Sequence, residues 1–142
     1  MKNIHKDFHG ALSCGFEYLQ EKHGRKALNK YLFQAGENIY KDLIKKIKKR
    51  GLSALEEYWN YIFDLEEADF KIKRKNNEEI VLKVIRCPTL DHMRKMKYKI
   101  YKDFCRQCKI INYVIAQKTG FESKVISSQK KNSCVQKLWR RK

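Results

Sequence analysis

The sequence has one proline and six glycines among 142 residues, which excludes collagen-like and Pro-rich linker architectures. No stretch approaches the roughly 18 uninterrupted apolar residues that a membrane-crossing helix needs, so no membrane partner is expected. The start, Met1-Lys2-Asn3-Ile4-His5-Lys6-Asp7, lacks the apolar core of a secretory leader. Five cysteines are an odd number, poorly suited to a disulfide framework. Together these absences point to a reducing, cytoplasmic location. Phosphate-cradling Gly-rich loops, the Gly-x-Ser-x-Gly elbow and the dinucleotide fingerprint are also missing, which leaves nucleotide chemistry without a motif.

Acidic residues are scarce: 33 basic residues against 16 acidic ones give a formal charge of +17, which attracts anionic partners at long range. Lysines outnumber arginines 25 to 8, and Ile and Asn are abundant, the usage that AT-rich coding imposes on exposed positions. The basic residues concentrate in two clusters, Lys41 to Arg50 and Lys124 to Lys142. Contacts that grip phosphates and also read bases favour arginine and stacking aromatics, so direct nucleic-acid binding is disfavoured at this level.

What is present is the material of one folded domain spanning 1–142. The hydrophobic fraction is 42%, with seven Phe, eight Tyr and two Trp, far from the composition of disordered chains. Ile4, Phe8, Leu12, Phe16 and Leu19 recur at helical spacing up to Gly24. A short segment from Arg25 to Phe33 leads past Gly36 into a helix from Glu37 to Arg50, stopped by Gly51. Ser53-Ala54-Leu55-Glu56 has the form of a capping box, opening a further helix that ends near Glu66. The helical part is therefore 1–66.

In 67–142 the period changes to two. Phe70, Ile72 and Arg74 and then Glu78 to Arg86 flank a Lys75-Asn76-Asn77 turn, which predicts a β-hairpin. Pro88 ends it. Helical spacing returns through Phe104, Cys108, Ile111 and Ile115 up to Gly120, with Tyr98 as a candidate break. Phe121 to Ser128 and Ser133 to Arg140 form a second hairpin. The expected fold class is α+β: N-terminal helices packed with an antiparallel sheet of two β-hairpins separated by a long helix.

Chemistry concentrates in the second half. Cys87 stands at a strand end, His92 in the next turn, Cys105 and Cys108 on the long helix and Cys134 on the last strand. Cys105, Cys108 and Asn112 share one helix face. Cys108 coincides with the apolar stripe, where a free cysteine packs as a small hydrophobe. Arg106 beside Cys105 would lower a thiol pKa toward the reactive thiolate. Cys87, His92, Cys105 and Cys108 also form a donor set for zinc, although a Cys pair inside a helix is not the tight turn of structural zinc sites. No cofactor is therefore expected, with zinc as the alternative. On the first helix His9 stands four residues after His5 and near Asp7 and Glu17, as a paired imidazole at a pocket rim. Glu56-Glu57 and Glu66-Glu67 read as surface acids at helix ends. Trp59 and Trp139 add apolar area that suits a homodimer or the core.

Arg86-Cys87-Pro88, Asp91-His92-Met93, Phe104-Cys105, Cys108, Asn112, Gly120 and Cys134-Val135-Gln136, with Asp7-Phe8-His9-Gly10 and Tyr18-Leu19 before them, resemble in their order the L-2-amino-thiazoline-4-carboxylic acid hydrolase-like family. A more distant likeness is to vinyl-reductase-type small-molecule-binding domains. The first resemblance covers nearly the whole chain and implies hydrolytic opening of a small cyclic amidine-like ring. In that chemistry Cys105 is the nucleophile, His92 shuttles protons, Asn112 orients the ring nitrogen, and Arg86 or Arg94 holds the substrate carboxylate. His9, Tyr18 and Cys87 would complete the pocket. Thr89 and Lys97 stand where relatives are expected to have Ala and Gly. The second resemblance implies a non-catalytic small-ligand or metal-binding domain with the same pocket. A third class, a basic adaptor for nucleic acid or an acidic protein, requires both lysine clusters to share one face.

Overall fold

A computed structural model describes residues 5–142. Four helices come first: α1 (Phe8–His23), α2 (Arg25–Ile39), α3 (Lys41–Arg50) and α4 (Leu52–Leu65). Then follow strands β1 (Asp69–Lys75) and β2 (Glu79–Arg86), helices α5 (Pro88–Lys95) and α6 (Arg106–Thr119), and strands β3 (Phe121–Ser128) and β4 (Ser133–Arg140). The fold is α+β. The two hairpins join through β2 and β4 into one antiparallel sheet ordered β1-β2-β4-β3. Strict alternation puts Ile80, Leu82 and Val84 of β2 and Leu138 of β4 on the inner face, where the helices cover them. Among the described residues, no helix is long and apolar enough to cross a membrane.

Three local expectations are corrected. Gly36 does not interrupt a helix: it lies buried within α2, where an added Cβ would stand 3.1 Å from the Val114 Cβ, so the glycine permits close approach of α2 to α6. The break falls instead at Tyr40, whose phenol turns into the interior. The single long helix of the second half is two helices. Between them Lys97 is left-handed (φ 59°), and the segment is fastened to α1: Tyr98 Oη donates to Asp7 (2.8 Å), and the Tyr101 N–H donates to Ser13 Oγ (2.7 Å). These tertiary bonds replace the helical ladder.

The Ser53–Glu56 capping box does not form, since Ser53 Oγ donates back to the Arg50 carbonyl. The first orphan donor of α4, the Leu52 N–H, is met by Asn77 Oδ1 at 2.7 Å from the turn of the first hairpin. Gly51 makes this possible. It has φ 73° and ψ −155°, a region open essentially to glycine, and a Cβ there would lie 2.2 Å from Asn77 Oδ1. Gly51→Ala combines backbone strain of about 1–3 kcal/mol with loss of a cap worth about 1 kcal/mol. The melting temperature is expected to fall by roughly 10 °C, and Asn77→Ala by a smaller amount. Equal melting of Gly51→Ala and the parent would refute the arrangement.

The interior divides into two cores. The larger joins the sheet to α3, α4 and α6 around Leu55, Trp59, Leu82 and Phe121. The smaller gathers α1, α2, α5 and the 96–105 segment around Phe16, Leu28, Met93 and Phe104. Cys87 packs against both.

Candidate functional site

The seam between the two cores encloses a cavity of about 180 Å³. Its walls are aromatic and aliphatic, from Trp59, Phe63, Val84, Phe104 and Ile115, and four of the five cysteines line it. Strand ends and helix starts converge here. Cys87 caps α5, with its N–H donating to the Asn132 carbonyl (2.7 Å), and Cys105 caps α6, with its N–H donating to Gln129 Oε1 (3.0 Å). Cys108 follows one turn into α6, and Cys134 pairs with Val84 across β4 and β2.

A helix N-terminus ordinarily lowers a thiol pKa, but burial dominates here. Burial pushes the Cys105 thiol up to about 11, with Cys87 close by adding to the rise, against a weaker pull from a Ser127 hydrogen bond. Burial raises Cys108 well above the ordinary range, and Cys87 and Cys134 shift the same way for the same reason. The lowered pKa expected from Arg106 is corrected: that guanidinium turns to Asp103 (2.7 Å) and Asn29 (3.2 Å). The thiols are therefore protonated lining groups.

One polar pair closes an end of the cavity. His9 Nε2 lies 2.7 Å from Glu66 Oε1 and 3.2 Å from Thr89 Oγ1, with the His9 and Glu66 side chains only 9% and 12% exposed. A carboxylate only accepts, so Nε2 carries the hydrogen of the Glu66 bond. His9 Nδ1 is the one buried side-chain nitrogen or oxygen without a partner among the described residues. On the opposite wall, Asn112 Nδ2 donates to Gln136 Oε1 at 2.7 Å, and both residues are buried. Tyr40 and Tyr58 meet edge to face at 6.1 Å, and burial raises both phenol pKa values.

Of the residues expected at the site, His9, Cys87, Cys105, Cys108 and Asn112 come together. His92 does not: its Nε2 pairs with Asp7 Oδ1 at 2.9 Å, on the outer side of α5. Arg86 bonds Asp91 (2.8 Å) and the Glu67 carbonyl, and Arg94 bonds Asn132 and the Gln129 carbonyl. Tyr18 is exposed on α1 and borders a separate shallow groove. With His92 turned away, the four-residue zinc set is not assembled. Among the described residues no group of three or more His, Cys, Asp or Glu is arranged to hold a metal ion.

Sequence reasoning missed Glu66, Thr89, Tyr40, Tyr58 and Gln136. Glu66 reads from the sequence as a surface acid at a helix end, and its partner His9, 57 residues away, leaves no local signal. Tyr40 gives no signal in the sequence, where one helix runs through it from Glu37 to Arg50. No protein-family model and no curated protein matches the chain, so the chemistry of the pocket rests on its own residues.

Proposed function

We propose that the chain binds a small, uncharged ring-shaped molecule in the seam between its two cores. The observation that carries this reading is the cavity itself: it has mostly apolar walls, four protonated thiols and no lysine or arginine among its lining residues. An apolar cavity of about 150 Å³ suffices for benzene, so the volume suits one ring or a compact fused pair. A buried carboxylate without a cationic partner is strongly disfavoured. The amide pair on the wall supplies polar selectivity: Asn112 has its N–H committed to Gln136, which leaves its carbonyl oxygen for a ligand N–H.

This favours the small-ligand-binding alternative over hydrolysis of a thiazoline carboxylate. The hydrolase reading needs a thiolate at Cys105 and a cation for the substrate carboxylate, and burial and the placement of Arg86 and Arg94 work against both. His9 does not replace them, because its free Nδ1 is sealed from the accessible surface.

Thermal shift and titration calorimetry test the reading with indole, benzothiophene and 2-amino-thiazoline-4-carboxylate. A neutral bicycle at tenfold its Kd is expected to stabilise by about 1.4 kcal/mol, roughly 5 °C in melting temperature. Cys108→Phe, which fills the cavity, abolishes the shift. Hydrolysis of the carboxylate without binding of either neutral ring would instead establish the hydrolase.

A further inference from the structure

Among the described residues, the helices pack on the inner face of the sheet and leave the outer face open. Its outward positions are Lys71, Lys73 and Lys75 on β1, Lys83 on β2, Lys124 on β3 and Lys137 on β4, with Val81, Ile85, Ile126, Val135 and Trp139 between them. Cross-strand register orders them in rows. One row reads Lys73, Val81, Lys137, Lys124, and the next reads Lys71, Lys83, Val135, Ile126. These adjacent rows contain five lysines and no acid. Both outward glutamates, Glu79 and Glu122, lie in the bordering row with Lys75 and Trp139.

Two features resist a purely solubilising explanation. Lys71 stands directly opposite Lys83, and Lys124 directly opposite Lys137, an arrangement that costs stability in a sheet. Lysines on the edge strands β1 and β3 protect against strand addition, but β2 and β4 are interior strands with no edge to protect. Among the described residues, Lys137 alone of the five is neutralised, by Glu79 at 2.9 Å.

We infer that this face binds single-stranded nucleic acid, with the lysine rows contacting phosphates and the exposed Ile126 and half-buried Val135 lying against bases. The open band is about 14 Å across its four strands, and it is bounded on one side by carboxylates. Such a band suits a linear polyanion, whereas a bilayer plane would cover Glu79 and Glu122 as well. Sequence alone could not reveal this, because the lysines come from four separate strands and the arginine-poor composition argued the other way. The first basic cluster, Lys41 to Arg50 on α3, belongs to the other layer: Leu43, Ile44 and Ile47 pack in the core on the inner sheet face. The surface is independent of the cavity between the cores.

Fluorescence anisotropy of short labelled oligo(U) and oligo(dT) tests the inference. With five lysine contacts the slope of log K against log salt is expected near about −3.5, from about −0.7 per contact. The variant Lys71→Gln/Lys73→Gln/Lys83→Gln/Lys124→Gln relieves both like-charge pairs and breaks no ion pair of the described structure. It is expected to bind at least about tenfold more weakly, with the slope near about −0.7. The control Lys45→Gln/Lys46→Gln/Lys48→Gln/Lys49→Gln removes the same charge from the exposed side of α3 and is expected to bind as the parent does. Equal losses in the two variants would assign the attraction to net charge and overturn the inference. So would capture by phosphatidylserine vesicles, dependent on the sheet lysines, without oligonucleotide binding.

Discussion

Cys105 is expected to react with iodoacetamide at about pH 8 roughly two-hundredfold more slowly than free cysteine, because a thiol near pKa 11 is about 0.1% ionised there and an ordinary one about a quarter. The pH profile separates ionisation from access. Between about pH 9 and pH 10 the rate at Cys105 should climb roughly tenfold while that of free cysteine has nearly levelled. Peptide mass spectrometry resolves the sites, and Cys14, exposed on α1, should label first. Rapid labelling of Cys105 below about pH 8 would contradict the burial argument and restore the thiolate nucleophile.

The same shift has a consequence for stability. The unfolded thiol ionises near its ordinary value of about 8.5 and the folded one near 11, so in this interval the unfolded state releases protons that the folded state retains. The contribution is complete below the unfolded value and is lost as pH rises through the folded one. Cys87, Cys108 and Cys134 act in the same direction. Urea midpoints measured from about pH 8 upward should therefore decline toward pH 11. Replacing Cys105 and Cys108 by alanine should flatten that decline, whatever it does to stability at neutral pH.

The α+β class and both hairpins were legible because the apolar period changes from 3.6 to 2 at Phe70 and back after Pro88. Helix starts were less legible. Local composition put a capping box at Ser53, whereas the cap of α4 comes from Asn77, 25 residues on, which no window of sequence contains. Tyr98 could be flagged as a break, but its reason, a bond to Asp7, is tertiary. At the site, helix periodicity correctly placed Cys105, Cys108 and Asn112 on one face. His92, Arg86 and Arg94 do not line the cavity, because proximity along the chain says nothing about which side of a helix or strand end a group leaves from. Cysteine types were visible, whereas their protonation depends on burial.

A large single-site loss is also expected from Glu66→Leu. Removing the carboxylate leaves the buried His9 Nε2 without its hydrogen-bond partner, and an unsatisfied buried polar group costs about 1–3 kcal/mol. His9 keeps the Thr89 hydroxyl at 3.2 Å, which sets the expected cost at about 2 kcal/mol, or roughly 7 °C in melting temperature. The paired substitution His9→Leu/Glu66→Leu should recover most of that loss, since well-packed apolar groups replace a buried pair at little cost and the unpartnered His9 Nδ1 disappears as well. The four-way comparison isolates the coupling, and additive losses would show that the 2.7 Å contact contributes little. It also separates the two functional readings. A cavity that only binds a neutral ring should retain its ligand in the double variant, because the wall stays closed and becomes more apolar. A reaction that uses the imidazole would cease while binding persists, and that split is readable in one protein preparation.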